Sequence, residues 1–143
     1  MKADSFPEQE MLESAVSLPL LPRTLEWAKI NSGTANLDGL ATVAGMLADA
    51  FSILPGETSL IDPAPVEAVR ADGTVDQVQR GQHLITSVRP EAPVRILLTG
   101  HMDTVFAADH PFQKIVELES GVLNGPGLAD MKGGLSVMLG ALQ

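Results

Sequence analysis

The chain has 143 residues, enough for one domain with a hydrophobic core, and 45% of them are hydrophobic. A net charge of -9 argues against nucleic acid or an anionic membrane surface as a partner, because phosphates would be repelled. The absence of cysteine excludes thiolate catalysis, disulfides and cysteine-type zinc sites, and suits the reducing cytoplasm in which the protein is expected. No apolar run approaches the roughly 20 residues of a membrane span. The opening MKADSFPEQEML lacks the apolar centre of a signal peptide.

From Glu8 to Ile30 the pattern predicts a helix interrupted at Pro19 and Pro22. Met11, Leu12, Ala15 and Val16 fit one face of its first piece, and Trp27 in the second piece is a core candidate. NSGTANLDG is turn chemistry. LDGLATVAGMLADAFSIL is the clearest amphipathic helix, with Leu40, Val43, Ala44, Leu47, Ala50 and Phe51 at helical spacing. Asn36 or Asp38 is its candidate N-cap, and Pro55-Gly56 stops it.

The middle of the chain predicts β structure. TSLIDPAPVEAVR, with Pro63 and Pro65, reads as an edge or irregular strand, and Asp72-Gly73 as a turn. GQHLITSVRP alternates as a half-buried strand does. VRILLT is a nearly continuous apolar run, which predicts a central strand covered on both faces. A short strand, a turn at Glu119-Ser120-Gly121 and a Gly/Pro loop follow. The last helix, MKGGLSVMLGALQ, places Leu135, Met138, Leu139 and Leu142 on one face, with no stop signal before Gln143. Helices mixed with a doubly covered strand predict an α/β layer architecture, and the missing stop predicts an unfinished layer.

Two features carry chemistry. LLTGHMDTVF sets His101 and Asp103 two residues apart where an apolar strand ends. In extended backbone, residues i and i+2 share a face, so the carboxylate can fix the imidazole tautomer and leave the other ring nitrogen for a metal or a proton. Taken alone, such a pair is most simply a structural hydrogen bond at a strand end. The second feature is NGPGLADMKGG, in which glycines shape a tight loop and Asp130 precedes a helix. Asp130 is either an N-cap or a carboxylate aimed at the crevice of His101, able to bridge two metal ions.

In that order and spacing, LLTGHMDTVF and NGPGLADMKGG resemble the paired signature of the zinc aminoacylase and carboxypeptidase family, which includes glutamate carboxypeptidase, acetylornithine deacetylase and succinyl-diaminopimelate desuccinylase. INSGTANLDGL also resembles the N-terminal region of that family, so the resemblance runs from about Leu25 to Gln143. It implies that His101 binds one zinc, that Asp103 is a catalytic residue that orients it, and that Asp130 bridges two zincs, with Co2+ or Mn2+ as alternative metals. Lys132 and the neighbouring glycines are assigned shape rather than chemistry. The implied fold is an incomplete zinc-peptidase-like catalytic domain with a mixed, mostly parallel sheet flanked by helices. The implied substrate is a small peptide or N-acyl amino acid with a free carboxylate, and the complete enzyme would be a homodimer.

The family's glutamate pair, its further acidic ligand and its late histidine have no match in these residues. Glu117 and Glu119 precede Asp130 and are one residue apart, so they read as a solvated strand face. His83 reads as a surface or packing residue, and His110, in the loop after the metal motif, is a candidate substrate-binding residue. Residues 1–143 are therefore expected to be the N-terminal part of a catalytic domain, weak in zinc binding and inactive alone. The alternatives are a non-catalytic binding module and half of a metal site completed by a partner chain.

Overall fold

Proline placement divides the N-terminal helical region at one point, not two. The computed structural model describes residues 8–143. Helix α1 spans Glu8–Ser17 and α2 spans Leu20–Ala28, with the break at Pro19. Pro22 sits in the first turn of α2, where the missing N–H has no intrahelical partner to lose, so the helix runs through it. Met11, Leu12 and Val16 lie exposed, so the apolar stripe expected on the first piece does not pack.

Helix α3, Leu37–Phe51, follows the predicted periodicity. Leu40, Val43, Ala44, Leu47 and Phe51 are buried, and the Asn36 side chain caps the helix by accepting from the Gly39 N–H at 3.2 Å. Of the two predicted caps, Asn36 is the one used. Helix α4, Gly133–Leu142, adds Leu135 and Leu139. The core consists of Trp27 from α2, Val43, Leu47 and Phe51 from α3, Leu54 beyond its end, and Leu135 and Leu139 from α4. Ser136 of α4 donates its hydroxyl to the Leu20 carbonyl at 2.9 Å, which joins α4 to the start of α2. Leu142, expected on the buried face of α4, is exposed.

The strands form three separate antiparallel pairs. β1 (Glu57–Ile61) pairs with β4 (His83–Ser87) in the register Glu57↔Ser87 to Ile61↔His83. Leu84 of β4 packs against the core, so the alternation predicted for this strand holds, and His83 faces outward. β2 (Val66–Val69) and β3 (Val75–Val78) form a hairpin around Gly73, whose φ of 83° only glycine adopts without strain. β5 (Val116–Glu119) and β6 (Val122–Asn124) form another hairpin. Glu117 and Glu119 stand exposed on β5, as a solvated face requires.

The structure is mixed α and β, but its sheets are antiparallel, not mostly parallel. The main discrepancy is the VRILLT segment. Arg95–Thr99 forms no ladder, and Ile96 and Leu97 are 82% and 86% exposed. An apolar run reports a preference for burial, but a strand also needs neighbours to take its N–H and C=O groups. Among the described residues none runs beside this one. Among the described residues, strands run parallel only at an isolated bridge between Gly33 and Thr104. No helix among the described residues is long and apolar enough to cross a membrane.

Exposure of this segment has a measurable consequence. Leu97→Glu is expected to reduce the fluorescence of an apolar-surface dye bound to the protein while changing stability by no more than about 0.5 kcal/mol. Dye titration alongside chemical denaturation checks both; a large loss of stability would mean that Leu97 is packed.

Candidate functional site

Three segments distant in sequence converge at His101. The first is Ser32–Thr34, which runs beside Met102–Thr104. The Thr104 N–H donates to the Ser32 carbonyl at 2.9 Å, the Thr34 N–H donates to the Thr104 carbonyl at 3.0 Å, and the Ser32 hydroxyl donates to the Met102 carbonyl at 2.7 Å. Gly33 lies at the centre of this pairing, where a Cβ would come within 2.4 Å of the Phe106 carbonyl oxygen. The pairing fixes the backbone that carries the second segment, His101 to Asp103.

On that backbone the predicted i, i+2 contact forms. His101 Nδ1 lies 3.0 Å from Asp103 Oδ1 and 3.1 Å from the Asp103 carbonyl oxygen. The other Asp103 oxygen, Oδ2, accepts from the Thr34 hydroxyl at 2.5 Å.

The third segment is the loop 125–132. Gly127 turns it with a φ of 71°, and the Lys132 N–H closes the turn on the Gly127 carbonyl at 2.9 Å. Asp130 has extended dihedrals (φ -126°, ψ 94°), and α4 begins at Gly133 without a side-chain cap. Asp130 is therefore not the N-cap that its position before a helix suggests. Its Oδ1 lies 2.9 Å from His101 Nε2. Met131 Sδ accepts from the His101 N–H at 3.3 Å, which ties the loop to the His101 segment a second time.

Lys132 anchors the loop from behind. Its side chain is buried, and Nζ donates to the Ile30 carbonyl at 2.9 Å, just ahead of Ser32–Thr34. Burial lowers its pKa from 10.5 to about 8. Reading this residue as loop shape alone missed a link between two of the three site segments.

His101 is flanked by a carboxylate oxygen at each ring nitrogen. Burial lowers its pKa, but the Asp130 carboxylate, the Asp103 carbonyl and the Asp103 carboxylate together outweigh that and raise it above the ordinary imidazole value. The contact between His101 Nε2 and Asp130 Oδ1 lies where a cation would be shared. Two ligands of one tetrahedral zinc, each about 2.1 Å from the ion, stand about 3.4 Å apart. The pair here stands 2.9 Å apart, and the Asp130 side chain is 85% exposed and has room to move. An imidazole with one carboxylate behind it and an exposed carboxylate at its other nitrogen have the donor chemistry of one edge of a zinc site. Among the described residues no group of three or more His, Asp or Glu side chains is arranged to hold a metal.

An open cavity of about 1560 Å³ reaches His101 and Asp103, walled by Leu47 and Phe51 of α3, Leu84 of β4, Leu135 of α4 and the exposed Leu97. His110 takes no part in the hydrogen bonds of His101. Its Nδ1 accepts from the Phe112 N–H at 3.0 Å, and its ring lies 5.0 Å from that of Phe106, so its described contacts serve a local turn. Sequence reasoning missed Thr34, Ser32 and Met131. Thr34 and Ser32 lie in a stretch whose composition signals only a turn, and the signal for Met131 is its adjacency to Asp130.

Residues 97–143 match the model of Peptidase family M20/M25/M40. That segment holds His101, Asp103 and Asp130, and the match supports the zinc aminoacylase and carboxypeptidase family that the motifs resemble. It suggests a metallopeptidase or amidohydrolase type of function. A search of curated proteins finds no match to the chain.

The buried lysine sets a pH dependence. Its folded-state pKa of about 8 lies below the unfolded value of 10.5, so in that window the unfolded chain binds more protons and stability rises with pH. At about 1.4 kcal/mol per pH unit, the full gain is on the order of 3 kcal/mol. Denaturation midpoints of the wild type and Lys132→Met, followed from neutral to alkaline pH, are expected to diverge in this direction; parallel profiles would contradict the assignment.

Proposed function

We propose that this chain supplies the first part of a dinuclear zinc centre that hydrolyses the amide bond of a small peptide or N-acyl amino acid with a free carboxylate. The observation that carries this reading is the row Asp103–His101–Asp130, in which one carboxylate backs the imidazole and the other meets its free side at 2.9 Å. His101 and Asp130 are the residues that would hold zinc, with Asp130 shared between the two ions. Bound there, zinc would supply Lewis-acid polarisation of a carbonyl and a water of lowered pKa.

The chain's own residues have distinct tasks in this reading. Asp103 holds the ring nitrogen that faces away from the metal and keeps the imidazole oriented. The Met131 contact holds the Asp130 loop against His101, and the Lys132 contact holds it against Ile30. The open, largely apolar cavity beside His101 offers room for a substrate next to the imidazole. A catalytic zinc takes three protein ligands. The remaining ligands and the general base are therefore assigned to residues beyond these 143 or to a partner chain. On this reading, residues 1–143 are the N-terminal part of a catalytic domain. A homodimeric complete enzyme belongs to the same reading and rests on the family resemblance, and a cytoplasmic location rests on the cysteine-free sequence.

Zinc titration of the 143-residue chain, with an assay for hydrolysis of N-acyl amino acids, tests the proposal. Weak binding without turnover is expected, and His101→Ala or Asp130→Asn is expected to remove that binding. Tight binding of two ions with robust turnover by the monomer would refute the division of the site. Binding indifferent to His101→Ala would refute the site itself.

A further inference from the structure

We propose that Thr34 is a positioning residue that sets the tautomer of His101 through Asp103; the consequence for zinc rests on the metal-site reading above. The Thr34 hydroxyl has one proton and two acceptors in range, Asp103 Oδ2 at 2.5 Å and the Thr104 carbonyl at 3.3 Å. The shorter contact is also the charge-assisted one, so the proton goes to the carboxylate. With Oδ2 engaged, Oδ1 is the oxygen directed at His101 Nδ1.

This arrangement decides a competition. The neutral ring of His101 has one N–H and two carboxylates to receive it, Asp103 at Nδ1 and Asp130 at Nε2. Asp130 is 85% exposed, whereas Asp103 is 35% exposed and fixed by Thr34. The anchored acceptor requires no further ordering, so the ring proton settles on Nδ1. The Nε2 lone pair is then left for a metal shared with Asp130, whose 85% exposed side chain can turn from the ring in the neutral, metal-free protein. Thr34 itself is held by the main-chain bond from its N–H to the Thr104 carbonyl, which side-chain replacement leaves in place.

The test compares the wild type with Thr34→Val, which keeps the shape and removes the hydroxyl, and Thr34→Ser, which keeps the hydroxyl. Thr34 is exposed, so both variants are expected to fold, with Thr34→Ala as a third if valine does not. Long-range proton–nitrogen correlation spectra of the metal-free protein at alkaline pH report the tautomer of His101. Zinc titration reports the affinity. Expected are an Nδ1–H ring in the wild type and Thr34→Ser, a mixed population in Thr34→Val, and zinc binding about tenfold weaker in Thr34→Val, at the low end for partners behind a zinc-bound histidine. An unchanged tautomer in Thr34→Val overturns the proposal, as do equal defects in the serine and valine variants, which mark a packing role. If the tautomer responds but the wild type binds no zinc, the positioning role stands and the metal-site reading falls.

Discussion

The parallel pairing of Ser32–Thr34 with Met102–Thr104 is the constraint on which the rest of the site depends. It is short, with two main-chain hydrogen bonds and one from the Ser32 hydroxyl. It joins residues some seventy positions apart, and it holds the backbone on which the His101–Asp103 contact forms. The residues are chosen for closeness. Gly33 has no space for a Cβ beneath the Phe106 carbonyl, and Ser32 is fully buried. Asn31 extends the clamp, its side-chain amide donating to the Phe106 carbonyl at 3.1 Å and to Gln113 at 2.9 Å. The loop that follows Asp103 is thereby tied to the same turn.

The second support comes from below. Lys132 places a cationic group where desolvation disfavours its charge, and its hydrogen bond runs to the carbonyl of Ile30. A methionine of similar length could fill the space at less electrostatic cost, but it could not bond to that carbonyl. The loop bearing Asp130 and the turn bearing Thr34 are thus fastened to each other independently of the contacts at His101. The relative position of the two carboxylates follows from this bond as well as from the imidazole between them.

Helix α3 was legible in the sequence because its signal is local: periodicity, an asparagine cap and a Pro-Gly stop act within one segment. The Asp103–His101 pair was legible for the same reason, since i and i+2 share a face wherever the chain is extended. The VRILLT run was misread because burial on two faces depends on other strands, and composition cannot say whether they are present. The exposed face of α1 failed likewise, since amphipathic spacing does not supply the surface to pack against. Asp130 was ambiguous in sequence because a carboxylate ahead of a helix serves equally as a cap. The extended dihedrals that turn it toward His101 are set by the loop as a whole. Thr34 was illegible because its partner is a side chain distant in sequence.

These contacts give the two carboxylates opposite characters. Asp103 is held at both oxygens, one on Thr34 and one on His101. Asp130 touches the ring through one oxygen and leaves most of its surface to solvent. On the zinc-site reading proposed above, a residue that orients the imidazole must be rigid, because any motion passes directly to the ring. On the same reading, a residue that shares cations must keep a free oxygen and the freedom to adjust as ions bind. Sequence alone presents two aspartates near one histidine. The structure distinguishes them by what lies behind each, a threonine hydroxyl in one case and open solvent in the other.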